Sequence, residues 1–277
     1  MDPLDFTGKA VVVTGGTRGI GAAIAHTFHA AGADVLVCGR TPPATARFAG
    51  AGGDAALRED AGLRGDAALR GEPGGGGAAA ARGVEFFRAD VRDPEQAAAL
   101  VAEAVARFGR LDVLVNNAGG SPHIPAANAS PRMHAKVIEL NLIAPLHVSQ
   151  AANAVMRSQP TGGAILMIGS VSGTRPSPGT AAYGAAKAGL HHLATSLAAE
   201  WGPAVRVNSL IVGPVGDSLD PAVVARTVPA GRTASPEDVA GACLLLASPL
   251  AGYVSGAALA VHGGGEWPAY LAEFRPH

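Results

Sequence analysis

The chain has 277 residues, 38 of them glycine, with 21 Lys and Arg against 22 Asp and Glu and a formal net charge of −1, so it lacks the basic excess that nucleic acid or an anionic membrane would require. Two cysteines, Cys38 and Cys243, sit in apolar runs and are too few for a disulfide framework or a metal site. The expected partner is a small molecule, with no metal, and the acidic, non-apolar start MDPLDFTGKA together with the absence of any membrane-length apolar run points to a cytoplasmic location.

The first strand signal is AVVVT at 10–14, a β-branched run without alternation, as in a strand buried on both faces. It leads into TGGTRGIG at 14–21 and then AAIAHTFHAAG at 22–32, a helix-length segment closing on Gly32. The glycines of this loop, Gly15, Gly19 and Gly21, permit a tight turn and a close approach to a pyrophosphate. The helix start beside Thr17, Arg18 and Ile20 offers free N–H groups and a positive dipole end. DVLVCG at 34–39 is the second strand. An NAD-preferring site places an Asp or Glu near the end of that strand; here stand Gly39 and Arg40. With no carboxylate to repel it, a 2′-phosphate fits between Arg40 and Arg18, so NADP(H) is expected over NAD(H).

Residues 49–82 are almost wholly Ala, Gly, Arg, Asp and Glu, with a sixfold-period repeat (AALRED, AGLRGD, AALRGE) followed by GEPGGGG. One Leu per six residues suits neither a solenoid nor a core helix, so this segment reads as a low-complexity surface insertion. Five further strand signals follow: VEFFRA from 84, LDVLVN from 111, GAILMIG from 163, VRVNSLIV from 205 and AALAVH from 257. DPEQ at 93–96 and SPEDVA at 235–240 open helices with a polar cap and a proline in the first turn. Strands alternating with helix-length spacers predict an α/β fold: a single Rossmann-type doubly wound domain over residues 1–277 with a parallel sheet of about seven strands. The tail at 266–277 carries Trp267, Tyr270 and Phe274 and is expected to dock at the pocket or at an interface.

Tyr183 and Lys187 stand four apart in YGAAKAGLHHLATSLAAE, on one face of a helix. A phenol of pKa about 10 is a poor acid/base at neutral pH, and a neighbouring ammonium is expected to lower it. Ser170, at the end of the fifth strand, presents a hydroxyl suited to hold a substrate oxygen. His191 and His192 have no second pair at metal-ligand spacing and are expected at an interface or on the surface.

The glycine loop, Asn116-Asn117-Ala118-Gly119 after the fourth strand, Ser170, and Tyr183-x-x-x-Lys187, in this order and spacing, resemble the short-chain dehydrogenase/reductase family from Lys9 to about Gly265. The resemblance implies that Tyr183 donates or accepts the proton and that Ser170 orients the carbonyl. It implies that Lys187 lowers the tyrosine pKa and binds the nicotinamide ribose, and that Asn141 anchors a water relaying protons to Lys187. In the same sense Asp90 and Val91 hold the adenine, Asn117, Ala118 and Gly119 line the cofactor floor, and Gly213 to Val215 approach the nicotinamide amide. A homotetramer or dimer is also implied. The chain departs from the family pattern at Val212, where Pro is usual, at Asp217 and Ser218, near which the family often carries a Thr, and at His262, where Asp is usual.

Substrate walls are expected from loops at the carboxyl ends of the strands: 120–128 with His123, 171–179 with Ser172 and Arg175, and 215–224 with Asp217. Arg175 offers a guanidinium to a carboxylate or phosphate and His123 a ring nitrogen to a substrate oxygen, each against an ordinary surface role. The resulting expectation is a ketoreductase-like enzyme moving a hydride between the nicotinamide and a carbonyl or secondary alcohol. Two other readings share the scaffold: a non-redox isomerase, cyclase or imine reductase, and a non-catalytic NADP-binding module.

Overall fold

The computed structural model describes residues 2–43, 83–216 and 219–265. The insertion at 49–82, the tail at 266–277 and Asp217 therefore lie outside the described residues. Among the described residues there are seven strands: β1 (Ala10–Thr14), β2 (Asp34–Gly39), β3 (Glu85–Arg88), β4 (Val113–Asn116), β5 (Gly163–Ile168), β6 (Val205–Val212) and β7 (Ala258–Val261). They form one sheet in the order β3-β2-β1-β4-β5-β6-β7, every pair parallel. This is the expected doubly wound α/β architecture.

Because side chains alternate across a strand, an apolar run without alternation feeds two cores at once. Val12, Leu36, Leu114, Ile165 and Val207 face one side, against residues of α2 (Pro94–Phe108), α4 (Ala144–Ser158) and α5 (Ala181–Trp201). Their neighbours Val11, Val13, Val35, Val115 and Leu166 face the other, against α1 (Gly19–Ala30) and α7 (Pro236–Ala247). The described residues also hold two short helices, α3 (Pro131–Ile138) and α6 (Pro221–Thr227). The helix starts follow from their caps: Asp93 accepts from the backbone N–H groups of Glu95 and Gln96, and Ser235 forms a reciprocal capping box with Asp238.

The strand order reverses direction between β1 and β4, which leaves a crevice at their carboxyl ends. That junction is tied by side chains. Thr14 Oγ1 accepts from the backbone N–H groups of Asn117 and Ala118, both at 3.0 Å. The Asn117 amide returns two bonds, to Thr14 O at 2.9 Å and Gly15 O at 3.0 Å. At the opposite end, Asp112 accepts from Ala10 N at 2.9 Å and pairs with Lys9 and Arg110.

Leu114 is fully buried in the centre of the sheet. Leu114→Ala is expected to cost about 2–5 kcal/mol of unfolding free energy, read by urea denaturation, with the cleft residues untouched.

Candidate active site

A cavity of about 960 Å³ opens over the carboxyl ends of β1, β2 and β4 and runs to the ends of β5 and β6. At one end lies the glycine loop. Gly21 sits so close to the loop that a Cβ there would lie 2.4 Å from both Asn117 Nδ2 and Gly15 O. No side chain caps α1 at Arg18, so the first-turn N–H groups and the dipole end are left for a ligand. Gly15, Thr17, Arg18, Gly19, Ile20 and Gly21 all line this wall. Arg40 and Arg18 are exposed on the cavity rim, and the described residues at the end of β2, Gly39 and Arg40, include no carboxylate.

Asp90 and Val91 line the cavity beside β2. Arg92, a residue that no sequence motif singles out, lines it too, and its guanidinium takes both oxygens of the Asp90 carboxylate, Nε meeting Oδ1 at 2.9 Å. That hydrogen bond holds the Asp90 carboxyl below the usual carboxylate range, with Arg40 adding in the same direction. Only its place two residues beyond Asp90, where a turn lets the side chain fold back, hints at Arg92. Asn117, Ala118 and Gly119 form the floor at the tied junction, and Gly213 and Val215 line the far side.

At that far end the structure brings Ser170, Tyr183 and Lys187 together. Ser170 follows β5 and caps the 3₁₀ turn at Val171–Gly173, its Oγ accepting from Ser172 N at 3.1 Å. Lys187 is 4% exposed; its Nζ donates to Ile168 O at 2.8 Å and lies 5.5 Å from the centre of the Tyr183 ring. Burial takes the ammonium from an ordinary 10.5 to about 8. Tyr183 is half-buried, and burial raises its phenol while a hydrogen bond with Ser170 works against that rise. The ammonium expected beside the phenol stands over the ring face and spends a hydrogen bond on a backbone carbonyl, and the net direction of the phenol, set by its burial, is upward rather than the expected downward.

Asn141 is fully buried in a π-helical turn, Glu139–Ile143, that joins α3 to α4. Its Oδ1 accepts from Gly120 N at 3.0 Å and its Nδ2 donates to Gly120 O and Val137 O, both at 2.9 Å. It does not line the cavity; it holds the Gly119–Gly120 backbone, to which Lys187 Nζ also comes close. Of the loop residues expected at the substrate, His123, Ser172 and Arg175 do not line the cavity. His123 and Arg175 are exposed, the Arg175 guanidinium donating to Pro176 O at 2.9 Å, and the Ser172 backbone N–H is held by Ser170 Oγ. Among the described residues no group of three His, Cys, Asp or Glu is placed to hold a metal ion, and no helix is long and apolar enough to cross a membrane. Val212 extends β6 in register with Val261 of β7, and His262 packs behind Gly213.

Family models match most of the chain: one described as enoyl-(acyl carrier protein) reductase over residues 76–266 and one described as short chain dehydrogenase over 9–68. The chain belongs to the short-chain dehydrogenase/reductase family. It is 33% identical to an uncharacterized oxidoreductase of Mycobacterium tuberculosis, over 97% of this chain and 96% of that protein. It is 34% identical to a 3alpha-hydroxysteroid dehydrogenase of Mediterraneibacter gnavus, over 92% and 96%. The crystal structure of a putative short-chain alcohol dehydrogenase from Sinorhizobium meliloti superposes with a TM-score of 0.78 at 27% identity, covering 94% of this chain and 97% of that one. Membership makes the protein an oxidoreductase of this family.

The buried ammonium has a measurable consequence. Below about pH 8 folded and unfolded chains both carry the charge, and the fold bears its desolvation. Between about 8 and 10.5 the folded chain has lost the proton and the unfolded chain still binds it, so stability rises with pH. Urea denaturation should therefore show wild type gaining stability relative to Lys187→Met over that window. A difference that does not change with pH would mean the ammonium stays charged in the fold.

Proposed function

We propose that the protein is an NADP(H)-dependent oxidoreductase interconverting a carbonyl and a secondary alcohol, with Tyr183 as the acid/base. The observation that carries this reading is one continuous cavity with an uncapped helix start and glycine loop at one end and Tyr183, Ser170 and buried Lys187 at the other.

The residues present fit a dinucleotide phosphate. The α1 N-terminus and the loop from Gly15 to Gly21 take the pyrophosphate, where a side chain at Gly21 would fill the cradle. Arg18 and Arg40 take the 2′-phosphate as a charge-assisted pair, which favours NADP(H) over NAD(H). Asp90 and Val91 hold the adenine, the Asp90 carboxylate already oriented by Arg92. Asn117, Ala118 and Gly119 form the floor, and Gly213 and Val215 approach the carboxamide. When bound, the cofactor supplies a hydride to the substrate carbon or accepts one from it.

Tyr183 Oη gives its proton to the carbonyl oxygen during reduction and takes it back from the hydroxyl during oxidation. Ser170 Oγ, already hydrogen bonded to that phenol, holds the same oxygen. A phenol raised by burial stays protonated at neutral pH, which suits the donor role in reduction. Lys187 binds the nicotinamide ribose, and Asn141 fixes the Gly120 backbone alongside it and anchors a water for the proton return. His123, Ser172, Arg175 and Asp217 belong, on this reading, to the substrate mouth outside the cofactor cavity. The proposal includes a single domain with a surface insertion at 49–82, a docking tail at 266–277, assembly as a homotetramer or dimer, and a cytoplasmic location.

Tyr183→Phe is expected to lower ketone-dependent NADPH consumption by about 10²–10⁴-fold with cofactor affinity kept. Full turnover in that variant would remove Tyr183 from the mechanism. Arg40→Asp should weaken NADPH roughly tenfold or more in a fluorescence titration while leaving NADH little changed. An equal loss for both would place Arg40 away from the phosphate.

A further inference from the structure

His191 lies one helical turn beyond Lys187 on α5, and its ring points inward rather than to the surface or an interface as its sequence position suggests. Nδ1 is 3.0 Å from Ser209 Oγ, a fully buried hydroxyl on β6, and Nε2 is 3.3 Å from the backbone carbonyl oxygen of Ser170. A carbonyl only accepts, so Nε2 carries the hydrogen and Nδ1 keeps its lone pair for the Ser209 hydroxyl. The neutral Nε2–H tautomer thus satisfies both partners. Burial lowers the ring's pKa and the Lys187 charge works in the same direction, while the Ser170 carbonyl opposes both.

The neighbouring backbone is shaped to admit this ring. A Cβ at Gly169 would lie 2.1 Å from His191 Cε1 and 2.6 Å from Leu210 O, so only glycine lets the imidazole lie against the strand end. Gly169 N donates to Leu210 O at 2.9 Å, which holds the same two residues from the β6 side. From the proposed carbonyl chemistry and this geometry, we infer that His191 is a positioning residue: it braces the Ser170 backbone between α5 and β6 and so sets where the Ser170 hydroxyl meets Tyr183 and the substrate oxygen. The brace touches neither cofactor nor substrate. Its effect runs through the Ser170 main chain, where a displacement well under an ångström is enough to slow a step that depends on orientation.

The test combines kinetics with a ring signature. In His191→Phe, which keeps a ring and loses both bonds, kcat for NADPH-dependent ketone reduction should fall roughly tenfold while the NADPH dissociation constant stays within about twofold. His191→Gln, whose amide N–H can reach the Ser170 carbonyl, should recover most of that loss. Ser209→Ala, cutting only the outer bond, should show a smaller fall and decides the matter if the Phe variant does not fold. Histidine-ring nitrogen NMR of the wild-type chain should show a neutral Nε2–H tautomer at His191. An Nδ1–H tautomer, an unchanged kcat in the Phe variant, or a Gln variant no better than Phe would overturn the brace. A wild-type protein that shows the Nε2–H tautomer yet reduces no ketone would overturn the proposed reaction instead and leave the brace standing.

Discussion

The cleft depends on the tie between the ends of β1 and β4. Two parallel strands whose onward connections leave on opposite faces must splay at their carboxyl ends, and the splay is useful only if its two lips are held at a fixed spacing. Thr14 and Asn117 do this with side-chain to backbone bonds at 2.9–3.0 Å, while the start of α1, with no side-chain cap at Arg18, is left for a ligand. The glycine loop and the floor at Asn117–Gly119 meet at this one junction.

The other end of the cavity is organised by a buried charge. Lys187 has little exposure and one fixed backbone acceptor, and its long stem packs in the α5 face that also buries Gly184, Ala186 and Leu190. Such burial costs stability, which is why the ammonium is driven toward neutrality. Tyr183 experiences the same desolvation in the opposite sense, its neutral form favoured. Both groups are shifted by the same low-polarity pocket, toward forms that hold a proton on oxygen and release one from nitrogen.

The strands, the glycine loop and the Tyr183–Lys187 spacing were legible in the sequence because each is a local pattern. Runs such as Val11–Val13 and Leu114–Val115 lack alternation since both faces of the strand are covered, and Ser235 and Asp238 announce a helix by chemistry confined to four residues. The grip of Arg92 on Asp90 was not legible, nor was the inward turn of His191, because a guanidinium folding back or an imidazole reaching a neighbouring strand leaves no periodic trace. The exposure of His123 and Arg175 was not legible for the same reason: loop residues of suitable chemistry can face solvent without any change in the surrounding pattern.

Sequence alone thus determined the parallel α/β architecture, the order of its strands along the chain, and the side chains available for nucleotide and proton chemistry, since periodicity, caps and motif spacing act over one or two turns of chain. Tertiary structure decided which of these groups meet and in what protonation state. Asn141 proved to be fastened to the Gly120 backbone, Lys187 to the Ile168 carbonyl, and His191 to Ser170 and Ser209. Desolvation and hydrogen-bond partners arise only when segments distant in sequence pack together, and those two terms govern both the shift of a titratable group and the aim of its reactive atom.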